Sequence, residues 1–126
     1  MTTVKADLRY TDDHDWVSSE SPARVGITDY AQNQLGEIVY AELPEVGAQI
    51  TAGDECGEVE STKSVAELKA PVSGTVVEVN EALLDNPELI NEDPYGEGWL
   101  YAVDVAGDGP LSSADEYAEQ ISGTIE

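Results

Sequence analysis

Gly57-Glu-Val-Glu-Ser-Thr-Lys-Ser-Val-Ala-Glu-Leu-Lys-Ala-Pro-Val-Ser-Gly74 is the stretch on which the fold depends. Two short, partly alternating segments, residues 56–60 and 64–70, flank Lys63 and read as strands joined by a reversal. Between them stands no Gly, Pro or Asn to explain the turn. Two-residue hairpin loops favour Asn-Gly or paired Gly because the primed turns need positive φ, so a centre of Thr62-Lys63 predicts a type I turn instead. On its own, Lys63 reads as an ordinary exposed lysine. Its setting is unusual, however: the chain has only 5 Lys plus Arg, and this one stands between acidic segments at the tip of a turn.

Moving outward, turn residues and β-branched runs alternate. Residues 8–10 and 16–17 read as short strand pieces around the acidic turn Thr11-Asp-Asp-His-Asp15, and 24–27 as another strand. Thr28 caps an expected helix over 29–35, with Asp29 favourable in its first turn and Gly36 suited to end it in the left-handed conformation. Strands follow at 37–43 and 75–80, with turn signals around 48–50 and a reversal at Pro71-Val-Ser-Gly74. Residues 80–86 suit a brief helical turn that Pro87 interrupts, and 91–98 read as a loop feeding a strand at 99–105, in which Trp99 and Tyr101 are expected core residues. Ser113 with Glu116 forms a capping-box pattern for a final helix to about Ile121, closed by Gly123. Many short strands with little helix favour a β-sandwich or flattened barrel.

At 126 residues the chain reads as one domain, 1–126, with its core at about 23–105 and a C-terminal helix at about 113–122. Against its 5 basic residues stand 27 acidic ones, a formal net charge of -22. The 40% of hydrophobic residues argues for a folded protein rather than an acidic tail. The acids are dispersed, which points to a whole-surface adaptation to a salt-rich cytoplasm. At about 1 M salt the Debye length falls to about 3 Å, and self-repulsion is largely screened. Such a surface excludes nucleic acid as a natural partner. No apolar run approaches a membrane span and the N-terminus lacks a signal peptide's apolar centre, so the expectation is a cytoplasmic monomer without a membrane partner. The single cysteine, Cys56, forms no internal disulfide and is expected to be a small buried strand residue. With one histidine, His14, and no phosphate-binding glycine loop, no convincing catalytic set is present, and no metal site is expected.

Glu60-Ser-Thr-Lys-Ser-Val-Ala-Glu-Leu-Lys-Ala-Pro-Val-Ser-Gly74 resembles the lipoyl-lysine motif of the glycine cleavage system H proteins. The likeness extends through His14-Asp-Trp16, Val25-Gly-Ile-Thr-Asp-Tyr-Ala31, Leu35-Gly-Glu-Ile-Val39, Leu43-Pro-Glu-Val-Gly47 and Pro94-Tyr-Gly-Glu-Gly-Trp-Leu100, in order across nearly the whole chain. It implies a mostly β, barrel-sandwich hybrid fold of the lipoyl/biotinyl-carrier type, with lipoate in amide linkage on Lys63. It also implies a carrier rather than an enzyme. Its partners would be a glycine decarboxylase (P protein) that loads an aminomethyl group, an aminomethyltransferase (T protein) that passes the carbon on, a dihydrolipoamide dehydrogenase (L protein) that reoxidises the dithiol, and a lipoate-attaching enzyme. The resemblance places Asp15 and Glu67 where carboxylates hold the loaded amine in a surface cleft, with His14 as a further arm contact; Asp13 falls where some relatives carry Ser and would add a third acid. A primary ammonium on the arm calls for charge-assisted hydrogen bonds, which is the physical case for acids there. Among 27 acids any one carboxylate is most simply solvated surface, and His14 is as well read as a structural hydrogen-bond partner beside Trp16.

The chain departs from the family where Ala66 replaces the usual Ser three residues after the lysine, a strand position that can pack inward. A biotinyl domain would flank its lysine with methionines, where this chain has Thr62 and Ser64. Lipoyl domains of 2-oxo acid dehydrogenases commonly place Asp before the lysine and lack the outer blocks. From other classes, a lipoate relay protein and an unmodified acidic interaction module remain as alternatives, separated by the chemical state of Lys63.

Overall fold

The computed structural model describes residues 3–109, 111–121 and 124–125. In chain order its strands are β1 (Thr3–Val4), β2 (Arg9–Tyr10), β3 (Asp15–Val17), β4 (Ala23–Ile27), β5 (Ile38–Glu42), β6 (Gln49–Ile50), β7 (Glu55–Ser61), β8 (Val65–Lys69), β9 (Val72–Val79), β10 (Tyr101–Asp108) and β11 (Thr124–Ile125). Four helices interleave: α1 (Asp29–Leu35), α2 (Ala82–Asp85), α3 (Leu89–Glu92) and α4 (Ala114–Ile121). A six-stranded sheet in the order β2-β3-β4-β10-β9-β6 faces a three-stranded sheet β5-β7-β8, and β1 pairs with β11 alone. The fold is mostly β, a barrel-sandwich hybrid with short helices.

Apolar side chains from both sheets meet between them. Val17, Val25 and Ile27 of β3 and β4, Val59 of β7, Leu68 of β8, Val76 of β9 and Val103 of β10 belong to one buried cluster, to which α2 adds Leu83 and α3 adds Ile90. Burial of this kind stabilises by about 25 cal/mol per Å² of apolar surface, which makes this cluster the main driving force. Because strand side chains alternate, Trp16 points away from Val17 into a second cluster with Tyr10, Tyr117 and Val4 beneath α4. There Tyr10 and Tyr117 stack at 4.6 Å. Trp16 crosses the strand pair opposite Gly26, and its indole N–H donates to the Pro94 carbonyl at 2.9 Å.

Local chemistry explains the helix ends. The Thr28 hydroxyl accepts from the Ala31 N–H, capping α1 as its sequence predicts. Gly36 ends α1 with φ 83 and ψ -157, a positive-φ region that is essentially glycine's alone but is not the left-handed helical one expected. In α4 the capping box is reciprocal: Ser113 N–H donates to the Glu116 carboxylate at 3.0 Å, and Glu116 N–H to the Ser113 hydroxyl at 3.3 Å. The expected closure of this helix at Gly123 lies outside the described residues.

The structure corrects the reading in three places. Val72 to Gly74 belong to β9, so the chain reverses before Val72 and not across Pro71–Gly74. The supposed loop at 91–98 begins inside α3, which starts two residues after Pro87, where a proline obstructs no helical hydrogen bond. Trp99 precedes β10 and is half-buried; it serves as the platform for the Arg24 guanidinium, 4.6 Å above its ring.

Candidate functional site

The β7–β8 hairpin puts Lys63 at an exposed tip. Ser61 N–H donates to the Ser64 carbonyl at 2.8 Å, closing the ladder beneath a loop of Thr62 and Lys63. Neither loop residue has positive φ, a conformation that His14 alone adopts among the described non-glycine residues, so the primed turns are not used. The Ser61 side chain does their work. Its hydroxyl oxygen accepts from Ser64 N–H at 3.1 Å and from Lys63 N–H at 3.3 Å. A serine that receives loop amides organises a turn without glycine, and this is the signal the sequence reading passed over.

The loop is also tied to its neighbour. Thr62 N–H donates to the Glu37 carbonyl at 3.0 Å. Gly36 lies under the lysine stem: a Cβ on it would stand 3.3 Å from Lys63 Cε and 3.9 Å from Nζ. Among the described residues Lys63 enters no ion pair, whereas Arg9 meets Asp108 at 3.2 Å. Acylation of its amine would therefore break no internal salt bridge, and the absent Cβ at Gly36 leaves the stem a bed to lie on. On these grounds the root fits an amide-linked arm.

The other anticipated residues fall in different surroundings. Asp15 sits on the same face of β3 as Val17, paired with Ile27, and is 5% exposed. Burial, and then the charge of Asp13, push its carboxyl well above the ordinary range, while a hydrogen bond with Thr11 opposes the shift. Glu67 is exposed. It stands on β8 in register with Glu58, which is in register with Glu42. This carboxylate rung lies on the outer face of the small sheet, opposite to the inward-facing Val59 and Ala66. Partial desolvation and then Glu42, Glu55, Glu60 and Glu67 raise the Glu58 carboxyl. The next outer rung toward the lysine is Tyr40, Glu60 and Val65, with Tyr40 and Val65 exposed. Asp15 and Glu67 thus point to different sides of the sandwich: one enters its interior and the other faces solvent.

His14 is turned inward by its φ of 66. Its Nδ1 lies 2.8 Å from the Tyr117 hydroxyl, which lies 2.7 Å from the Thr28 hydroxyl, and its ring packs 4.6 Å from that of Tyr30. Burial lowers the imidazole below 6.5 against the opposing pull of Asp13 and Asp12. Cys56 is half-buried with Sγ 3.3 Å from the Tyr101 hydroxyl, and burial pushes its thiol up. A groove of about 110 Å³ lies where the acidic turn meets the end of β8, lined by Thr11, Asp12, Asp13, Gly53, Ala70 and Pro71. A larger cleft of about 470 Å³, lined by Lys5, Leu8, Trp16, Arg24 and Tyr95 among others, does not include the lysine hairpin. Among the described residues, no group of three or more His, Cys, Asp or Glu side chains is placed to hold a metal ion. None of the described helices is long and apolar enough to cross a membrane.

Comparison with known proteins finds relatives over nearly the whole chain. The family model described as glycine cleavage H-protein matches residues 8–124. The chain is 52% identical over 122 residues to the glycine cleavage system H protein of Beutenbergia cavernae, covering 96% of this chain and 98% of that one. It is 53% identical over 126 residues to the protein of the same name from Geobacillus kaustophilus, with coverage of 97% and 98%. The crystal structure of a glycine cleavage system H protein from Mycobacterium marinum superposes with a TM-score of 0.89 at 48% identity, covering 93% of this chain and 98% of the other.

Proposed function

The chain belongs to the glycine cleavage H-protein family, and from that premise we propose that it is the lipoylated carrier of glycine cleavage, with Lys63 as the attachment point. The observation that carries the proposal is the exposed Lys63, in no ion pair among the described residues, at the tip of a hairpin that hydrogen bonds to Ser61 and Glu37 tie down. A mobile arm needs a fixed root and a free amine, and tethering turns each encounter within a docked complex into an intramolecular one. Bound in amide linkage to Lys63, lipoate would supply a sulfur pair that is reduced as it takes up the aminomethyl group and is reoxidised later.

The expected partners are glycine decarboxylase, aminomethyltransferase, dihydrolipoamide dehydrogenase and a lipoate-attaching enzyme. The outer rungs beside Lys63 offer them carboxylates with two exposed apolar side chains, Tyr40 and Val65. For the loaded arm, Asp15 and Glu67 are the proposed contacts of its amine, with Asp13 as a third acid. An ammonium beside Asp15 would favour its ionised form, which burial disfavours. Glu67 would act from the outer face, and His14 would hold the acidic turn in place.

Intact-mass and peptide analysis of the protein from its native host tests this reading. Lipoyl mass on Lys63 is the expected result, and a wholly unmodified Lys63 in cells actively oxidising glycine would sink it. That outcome would favour the acidic interaction module. Transfer of the lipoyl group from Lys63 to a second protein would favour the relay.

A further inference from the structure

Asn91, on α3, has no assigned role, yet its amide makes three hydrogen bonds to the junction on which the lysine loop rests. Ile38 N–H donates to its Oδ1 at 2.8 Å, and its Nδ2 donates to the Gly36 carbonyl at 2.8 Å and to the Gln32 side-chain oxygen at 3.0 Å. These partners fix the amide's orientation, because a flipped group would set Nδ2 against an N–H and Oδ1 against a carbonyl. Gln32 is itself held, its Nε2 donating to Asp29 at 2.8 Å.

The position of these bonds matters more than their number. In an extended chain the C=O of one residue and the N–H of the second residue on face the same side, while the residue between them presents its polar groups to the other. Asn91 takes the side presented by Gly36 and Ile38. The intervening Glu37 carbonyl is thereby aimed the other way, where it accepts from Thr62 N–H at 3.0 Å. Asn91 stands in for a neighbouring strand at a point where β5 is only beginning. The same bond to the Gly36 carbonyl anchors the glycine that lies under the lysine stem.

We infer that Asn91 is a positioning residue for the attachment lysine: its side chain locks the Gly36-Glu37-Ile38 junction so that this junction sets the height and direction of the Thr62-Lys63 loop. The inference rests on the reading of Lys63 as the modified residue, but its first test does not. In unmodified Asn91→Ala protein, hydrogen exchange at the Thr62 amide should accelerate by roughly fivefold to tenfold, the scale of one lost hydrogen bond. Exchange at Val76 and Val103 in the central sheet should keep its unaltered rate. Gln32→Ala, which spares the bonds to Gly36 and Ile38, should leave Thr62 protected.

In the second test the lipoate-attaching enzyme is supplied with each variant. The kcat/KM for modification of Asn91→Ala should fall by about tenfold or more, since a misplacement on the order of 1 Å costs up to about a hundredfold in rate. The unaltered protein and Gln32→Ala should be modified equally well. Unchanged Thr62 exchange in Asn91→Ala would overturn the inference whether or not Lys63 is modified. Unaltered protein that resists attachment would instead count against the proposed function. Should Asn91→Ala fail to fold, native-state exchange of the unaltered protein decides: Ile38 and Thr62 amides should open together, and independent opening would overturn the inference.

Discussion

Nδ1 of His14 lies 2.8 Å from the hydroxyl oxygen of Tyr117, so the acidic turn before β3 is tied to α4 across 103 residues of chain. Tyr117→Phe would remove the hydroxyl that His14 and Thr28 share, leaving Thr28 its bond from Ala31 N–H, and should cost about 1 kcal/mol in chemical denaturation, the scale of a lost hydrogen bond. The imidazole should titrate below 6.5 by NMR. Because its folded-state pKa is depressed, its share of the stability is present above 6.5 and is lost as the pH falls through the folded value.

Asp15 acts with the opposite sign. Its folded pKa is raised above 3.8, so its favourable contribution is complete below 3.8 and is lost as the pH rises through the folded value. Asp15→Asn keeps a polar group for Thr11 without the charge. Its melting temperature should exceed that of the unaltered protein at neutral pH, and the gap should close as the pH approaches 3.8. A variant less stable at pH 7 would show that the ionised carboxylate has a partner worth more than its desolvation.

Ser61→Ala removes the oxygen that receives the Lys63 and Ser64 amides. Stability should fall by about 1 kcal/mol, and amide exchange should quicken in the hairpin before anywhere else in the small sheet.

Gly26→Ala tests the second core. The added Cβ would lie 2.6 Å from the Trp16 indole, which is buried and held by the Pro94 carbonyl. Overpacking of this kind should cost about 1–3 kcal/mol and shift the Trp16 fluorescence.

The charge distribution predicts a response to salt. Secondary structure followed by circular dichroism should loosen on transfer from molar salt to dilute buffer. Glu58→Gln removes the middle acid of the Glu42–Glu58–Glu67 rung and should raise the melting temperature in dilute buffer, with the gain fading as salt is added. Equal stability of the unaltered protein in both media would show that its acids repel too weakly to matter.

The elements that sequence alone made legible are those with local causes. Thr28 and Gly36 bound α1 through capping, Ser113 and Glu116 start α4, and the β-branched pattern marks β5 and most of β9. Lys63 stood out by its rarity and its ordered flanking blocks. What escaped notice depends on partners distant in the chain. Asn91 looked like a loop residue because its hydrogen-bond partners lie more than fifty residues away, at Gln32, Gly36 and Ile38. The family resemblance singled out Asp15, but its burial followed only from the strand pairing that turns it to the face of Val17. The neighbours of β10, which are β4 and β9, follow from the sheet's topology and have no mark in its own residues.

The small sheet ends in β5, whose start Asn91 holds, and in β8, and among the described residues no further strand pairs with either. Open strands invite another copy to add on and begin a fibre. Here the rung Glu42–Glu58–Glu67 runs from one open side to the other, so an incoming strand must set its own side chains against a carboxylate on either flank. Salt dense enough to silence the long-range repulsion between copies leaves this guard standing, because a carboxylate trapped between strands must still shed its water. The same acids that predict a response of folding to salt thereby also guard the sides of the small sheet.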